Sequence, residues 1–131
     1  MSGLVTFVLG GRDYATPLAA VREVVRLEGL TDLPGMTPPL AGVLDLRGTA
    51  LPVLDLRSLD AQRGDVLVLE DGAFGVAVDR VRSVLPDGEL LPAGASGEQL
   101  PSYVVEVLRG PDGPVFLVDL ARMVDAVRGA A

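Results

Sequence analysis

Apolar residues in this chain come in short Val- and Leu-rich runs, each stopped within a few positions by glycine, proline or an Asp-Gly pair. Leu4–Leu9 ends at Gly10-Gly11-Arg12-Asp13 and resumes at Tyr14-Ala15-Thr16, the pattern of a hairpin. Leu40–Leu46 and Ala50–Leu56 predict two further strands joined through Arg47-Gly48-Thr49. Asp65–Glu70 and Ala73–Val78 flank the turn signal Asp71-Gly72, and Tyr103–Leu108 and Val115–Val118 flank Gly110-Pro111-Asp112-Gly113. Two stretches read differently. In Leu18–Val25 the apolar residues Leu18, Val21, Val24 and Val25 fall at i, i+3, i+6 and i+7, which predicts one or two helical turns with Arg22 and Glu23 facing out. An early turn into strand is the open alternative, and Asp79–Leu85 carries the same ambiguity. Pro34, Pro38 and Pro39 make Leu33–Pro39 a loop, because proline cannot donate to a strand ladder. Pro86–Pro101 reads as a second Gly/Pro-rich loop and Arg57–Arg63 as a short helical turn or loop. Asp119 N-caps a last helix running to Val127. About eight short strands with frequent turns predict an all-β barrel or sandwich with short helices.

The chain also repeats itself. Tyr14–Val25 aligns with Phe74–Leu85 at an offset of 60, Arg47-Gly48 with Arg109-Gly110 at 62, and Val53–Leu56 with Leu117–Leu120 at 64. Matches in one order with a slow drift indicate duplication, with approximate halves 1–60 and 65–128 inside a single 131-residue domain. Units of this size are small for independent stability, so the halves are expected to pack together as two pseudo-symmetric barrels. The seam between them is a natural place for a partner-binding groove.

Composition narrows the function. The chain has no Cys, His or Lys, which removes thiol nucleophiles, the commonest general base and metal ligand, and Schiff-base chemistry. A net charge of −7 opposes nucleic acid and acidic membrane surfaces, whose phosphates reward basic stripes. No apolar run approaches the roughly 18 residues of a membrane span, so no direct membrane insertion is expected. The start MSGLVTFVLGG lacks the basic and small-residue marks of a signal peptide, which makes a cytoplasmic location the expectation. No cofactor or metal site is expected.

Two carboxylates stand out in the doubled phrase Val-Leu-Asp-Leu-Arg: Asp45 and Asp55. A small carboxylate-dependent hydrolase would need them about 5–5.5 Å apart for a retaining glycosidase, or sharing a proton as in an aspartic protease. Each Asp instead has an Arg two residues on, and no aromatic platform or Asp-Thr/Ser-Gly pattern accompanies them. Ion pairing or turn capping is the better reading. Gly48 and Gly110 are expected to supply turn backbone angles closed to other residues. The stretch Ala93–Gly97 lacks the Lys and following helix of a phosphate loop. Met36 with Leu40, and Val24 with Val84, are candidates to line an apolar groove.

The phrase GVLDLRGTALPVLDLR, Gly42–Arg57, resembles the signature of CheW-like domains, the coupling proteins of bacterial chemosensory arrays. VTFVLGGRDYATPLAAVREVV, GVAVDRVRSVL and VFLVDLARMV are similar to other parts of that family, so the resemblance covers nearly the whole chain. It implies two pseudo-symmetric five-stranded SH3-like β-barrels and a C-terminal helix. It also implies a non-catalytic adaptor that bridges a chemoreceptor cytoplasmic hairpin to the regulatory domain of a histidine kinase. The family's receptor-groove Arg and acidic residue fall on Arg47 and Glu23, which are expected to interact; Asp45, Val24 and Val84 are the further candidate partner-binding residues. Asp45 stands where the family usually has Asn, Ser83 where an acidic residue is common, and the stretch RSLDAQRGD is shorter than usual. The shortened Arg57–Asp65 connection motivates an alternative, an accessory adaptor that keeps receptor binding with weakened or lost kinase coupling.

Overall fold

A computed structural model describes residues 3–58, 63–93 and 99–129. The expected turn over Arg57–Arg63 and the Gly-rich Ala93–Gly97 fall largely outside those residues. In chain order the strands are β1 (Gly3–Leu9), β2 (Arg12–Pro17), β3 (Val21–Arg26), β4 (Leu40–Leu46), β5 (Thr49–Asp55), β6 (Asp65–Leu69), β7 (Gly75–Val78), β8 (Arg80–Pro86), β9 (Leu91–Pro92), β10 (Val104–Gly110) and β11 (Gly113–Val118), followed by α1 (Leu120–Gly129). They form a six-stranded sheet, β8-β1-β2-β11-β10-β9, and a five-stranded sheet, β3-β6-β7-β5-β4. Pairing is antiparallel except where β11 meets β2 and β5 meets β7. The fold is therefore mostly β, as expected, with two sheets left open at their edges. The sixth strand is β9, two residues inside a stretch read as loop, paired to β10 through Leu91 and Pro92.

Two further strands replace expected or ambiguous helix. Leu18–Ala20 make a single 3-10 turn, and Val21 then enters extended backbone at φ −117° and ψ 120°. The helical spacing of Val21 and Val24 has a different cause. In the β3–β6 register Val21 faces Leu69 and Glu23 faces Val68, so Arg22 is an extra, bulged residue. One inserted residue puts i and i+3 on the same face of a strand, which mimics a helical period. β8 repeats the device, with Val81 opposite Phe7, Ser83 opposite Thr6, and Arg82 bulged.

The duplication is real in three dimensions but its halves are not separate barrels. β1, β2, β3, β4 and β5 correspond in topology to β6, β7, β8, β10 and β11. The halves exchange strands: hairpin β1–β2 joins β8, β10 and β11, while hairpin β6–β7 joins β3, β4 and β5. The expectation that residues 1–60 form one barrel and 65–128 the other is corrected by this exchange. Neither half owns a complete sheet.

One apolar cluster spans both sheets. Phe7 and Val118 from the six-stranded sheet meet Leu54, Leu67 and Val76 from the five-stranded one, and Leu120, Met123 and Val124 of α1 close it. Those helix positions recur at i, i+3 and i+4, one face of a helix. Asp119 starts the helix as expected, its Oδ1 accepting from the Arg122 backbone N–H at 3.1 Å. Each sheet also has a smaller cluster of its own, around Leu51, Val53 and Val68 in one and Ala15, Leu108 and Val115 in the other.

Candidate partner-binding surface

The β4–β5 connection is a two-residue turn. Leu46 pairs with Thr49, and Arg47 and Gly48 between them have φ of 52° and 86°. Positive φ at both central positions is the requirement of a type I′ hairpin, whose twist matches the flanking strands. Gly48 thus has the turn role assigned to it, and Asp45 Oδ1 accepts from its backbone N–H at 2.8 Å. Arg47 carries a left-handed backbone, unusual for a residue with a side chain. It is consequently not a residue of the strand face shared by Val43 and Asp45; it projects from the tip of the hairpin.

From there Arg47 reaches β3. Its two terminal guanidinium nitrogens donate to Glu23 Oε1 at 3.0 Å and Oε2 at 2.6 Å, a bidentate pair across 24 residues of sequence. The Glu23 side chain is 27% exposed and the Arg47 side chain 70% exposed. Carboxylate and guanidinium therefore hold each other in a fixed geometry while the cation remains open to solvent. The hydrogen bond from Arg47 holds the Glu23 carboxyl below its usual range, and the same bond raises Arg47. Arg22, Leu51, Val68 and Gly72 line the same small recess, about 190 Å³ in volume. Arg22 was read only as an outward residue; it donates to the Glu70 carbonyl at 2.8 Å and so ties the β3 bulge to the end of β6.

The other assigned residues do not join this corner. Val24 pairs with Leu67 and Glu23 with Val68, so the register puts them on opposite faces of β3. Val84 pairs with Val5, which places it on the corresponding face of β8. Val24 is 41% and Val84 58% exposed, each on an edge strand and on the face carrying the inter-sheet cluster. Asp45 is exposed and engaged with its turn rather than with Arg47.

Gly110 corrects an expectation. It is the last residue of β10 and its φ is not positive; the turn residue with positive φ is Gly113, at 133°. A Cβ at Gly110 would lie 2.7 Å from Val115 Cγ2 and 3.0 Å from the Gly113 carbonyl, so the site needs glycine for close approach. The alignment of Arg47-Gly48 with Arg109-Gly110 was out of register for the same reason. Leu46 pairs with Thr49 as Gly110 pairs with Gly113, so the counterparts of Arg47 and Gly48 are Pro111 and Asp112.

The hydrolase alternative fails on geometry. Asp45 pairs with Ala50, and Asp55 lies five residues further along β5, roughly 17 Å at strand rise. Asp55 is held by Arg57 instead, which donates from Nε at 2.9 Å and from its terminal nitrogen to Oδ2 at 2.9 Å. Nearby, Asp79 accepts from the Gly10 N–H at 2.8 Å, the Ser58 N–H at 2.9 Å and the Ser58 hydroxyl at 3.0 Å. One carboxylate thus fastens the β1–β2 turn to the end of β5, which belong to different sheets. Sequence reasoning missed Asp79; the only signal was its place between two strands, before the repeated Val-Arg pair.

The family model of the CheW-like domain matches residues 3–128. The chain belongs to the CheW-like domain family. Among curated relatives, Protein PilI of Pseudomonas aeruginosa is 35% identical over 105 residues, covering 72% of this chain and 56% of that protein. Chemotaxis protein CheW of Bacillus subtilis is 29% identical over 91 residues, covering 63% and 58%. The chain thus spans a little over half the length of these CheW-like relatives. The crystal structure of the scaffolding protein TtCheW from Thermoanaerobacter tengcongensis shares the fold with a TM-score of 0.72 at 24% identity, over 91% of this chain and 84% of that one. No helix among the described residues is long and apolar enough to cross a membrane.

Proposed function

We propose that this CheW-like chain is a cytoplasmic, non-catalytic chemosensory adaptor that couples the cytoplasmic hairpin of a chemoreceptor to the regulatory domain of a histidine kinase. Family membership over residues 3–128 supports the adaptor class. The observation that carries the recognition role is the Glu23–Arg47 pair, a preorganised cation exposed at a hairpin tip beside an edge strand. A fixed guanidinium loses little freedom on binding and can reach a partner's carboxylates or carbonyls, so it contributes specificity. Exposed Val24 and Val84 supply apolar surface on the inter-sheet side.

Calorimetric titration of a chemoreceptor cytoplasmic fragment tests this reading, using wild type and Arg47→Glu. The expected result is saturable binding that the charge reversal weakens by at least about tenfold, since a like charge would then face Glu23 and the partner's acidic groups. Equal binding by a variant that unfolds at the wild-type midpoint would remove Arg47 from recognition. A parallel titration with the kinase regulatory domain separates a full coupler, which binds both partners, from an accessory protein that binds the receptor alone.

A further inference from the structure

The corner that Glu23 and Arg47 fill on the five-stranded sheet has a counterpart on the six-stranded sheet, built from equivalent strands and differently furnished. Arg82 matches Arg22 as the bulged residue, Ser83 matches Glu23, Pro111 matches Arg47, Val115 matches Leu51 and Thr6 matches Val68. With serine and proline in place of the ion pair, no side-chain hydrogen bond or ion pair among the described residues bridges β8 to the β10–β11 turn. The recess of about 190 Å³ becomes a cavity of about 610 Å³.

That volume lies within the usual range of small-ligand sites, roughly 300–1,000 Å³. Its apolar wall is Leu85, Leu90 and Val115. Val115 belongs to a buried cluster against which Leu90 packs, so this wall has a fixed shape. Thr6 and Ser83 bond to each other through their hydroxyls at 2.8 Å. Arg82 Nε lies 2.9 Å from Asp13 Oδ1, an ion pair without hydrogen-bond alignment, so that buried oxygen keeps an unused acceptor. Arg109, Glu89 and Asp112 also line the cavity. None of the three forms an ion pair with a described residue.

We propose that this cavity binds a zwitterion of amino-acid or dipeptide size carrying an apolar side chain. Arg109 takes the carboxylate, Glu89 and Asp112 take the ammonium, and Leu85, Leu90 and Val115 receive the side chain. Opposite charges on one lining with an apolar wall match that chemistry better than a simple anion, which Glu89 and Asp112 would repel. The site is distinct from the Glu23–Arg47 corner and independent of the adaptor reading.

The test is a titration of the full chain, followed by amide chemical shifts, with L-leucine, N-acetyl-L-leucine and L-leucinamide as probes. L-leucine is expected to give saturable shifts at Ser83, Leu90, Arg109 and Val115. Each analogue, lacking one of the two charges, is expected to bind at least about tenfold more weakly. Arg109→Gln and Glu89→Gln alter exposed side chains, and each is expected to lose about tenfold in affinity with an unchanged unfolding midpoint. Absence of saturable shifts, shifts confined to other strands, equal binding of N-acetyl-L-leucine, or full affinity in Arg109→Gln would each overturn the proposal.

Discussion

Two equivalent corners of this protein share a backbone plan and differ in what occupies it. On the five-stranded sheet a bulged edge strand and a type I′ hairpin bring Glu23 and Arg47 into a bidentate pair. On the six-stranded sheet the matching bulge precedes Ser83, the equivalent hairpin turns differently, with positive φ at Gly113 and not at Pro111 or Asp112, and an open cavity takes the place of the pair. Duplication fixed the scaffold once, through strand pairing and shared core. The side chains then differ at the two positions where a strand edge and a turn tip meet.

One scaffold under both corners means that damage to the shared core has the largest effect and reaches both sheets. Leu67 is buried in the cluster that spans the sheets. Leu67→Ala should destabilise the protein by about 2–5 kcal/mol through lost burial and a residual cavity. Because each sheet holds strands of both halves, the loss should shift one common transition. Urea unfolding followed by far-ultraviolet circular dichroism and by tyrosine fluorescence checks this, since Tyr14 lies on the six-stranded sheet, Tyr103 directly precedes its strand β10, and Leu67 lies on the other sheet. A tyrosine transition that stays at the wild-type midpoint would show that the two sheets fold separately.

The hairpins give a second, smaller contrast. Gly110→Ala drives a Cβ into Val115 and the Gly113 carbonyl, an overpacking that costs about 1–3 kcal/mol. Gly48→Ala meets no atom within 4 Å and suffers only its positive φ, a cost of about 1 kcal/mol. Chemical denaturation of both variants should rank them in that order. The reverse ranking would mean that Gly110 has room and that the close approach described above is wrong.

Asp79 joins the two sheets by polar contacts, and its effect should be of similar or lesser size. Asp79→Ala leaves the Gly10 and Ser58 donors without their acceptor, a loss of about 1–2 kcal/mol. Burial pushes the Asp79 carboxyl up, but hydrogen bonds from Ser58 and Gly10, with the Arg57 charge, outweigh it and hold the group below its ordinary value. Asp55 is lowered in the same way, burial being outweighed by its bonds to Arg57. A folded value below the unfolded one means stability that is present above the ordinary Asp value, about 3.9, and lost as pH falls through the lowered folded value. The wild type should therefore lose stability on acidification below about pH 4, and Asp79→Asn should lose less over the same interval. Equal slopes in wild type and variant would remove Asp79 from the acid response.

Much of this architecture was legible from the spacing of apolar residues, and the exceptions share a physical cause. Leu4–Leu9, Asp65–Glu70 and Ala73–Val78 read as strands because short, nearly continuous apolar runs bounded by turn residues match inner strands buried on both faces. Val21 and Val24 read as helix because a bulge at Arg22 shifts the strand period by one, and no local pattern announces a bulge. The offset of 62 between Arg47-Gly48 and Arg109-Gly110 looked plausible because both phrases are Arg-Gly; only the register Leu46–Thr49 against Gly110–Gly113 shows which residues turn. The strand exchange was invisible, since it depends on which edges meet and not on the edges themselves. The Glu23–Arg47 contact came from family resemblance, because nothing in the spacing of residues 24 apart requires them to touch.

That pair also gives the smallest expected stability effect, and the most informative one. Arg47 is mostly exposed, and such pairs hold long side chains in place against their own entropy and against screening by salt. Arg47→Ala and Glu23→Gln should therefore leave the unfolding midpoint unchanged within error at physiological ionic strength. The lowered Glu23 carboxyl makes any contribution of the pair present above the ordinary Glu value and lost as pH falls through the lowered one, so the neutral-pH midpoint is the place to look. If the midpoint stays fixed while affinity for a chemoreceptor fragment drops, the pair serves recognition and its cost in ordering is recovered only on binding. If the midpoint falls substantially and affinity does not, the pair is a structural clasp between β3 and the β4–β5 turn. The contrast between a filled corner and an open one would then reflect stability rather than function.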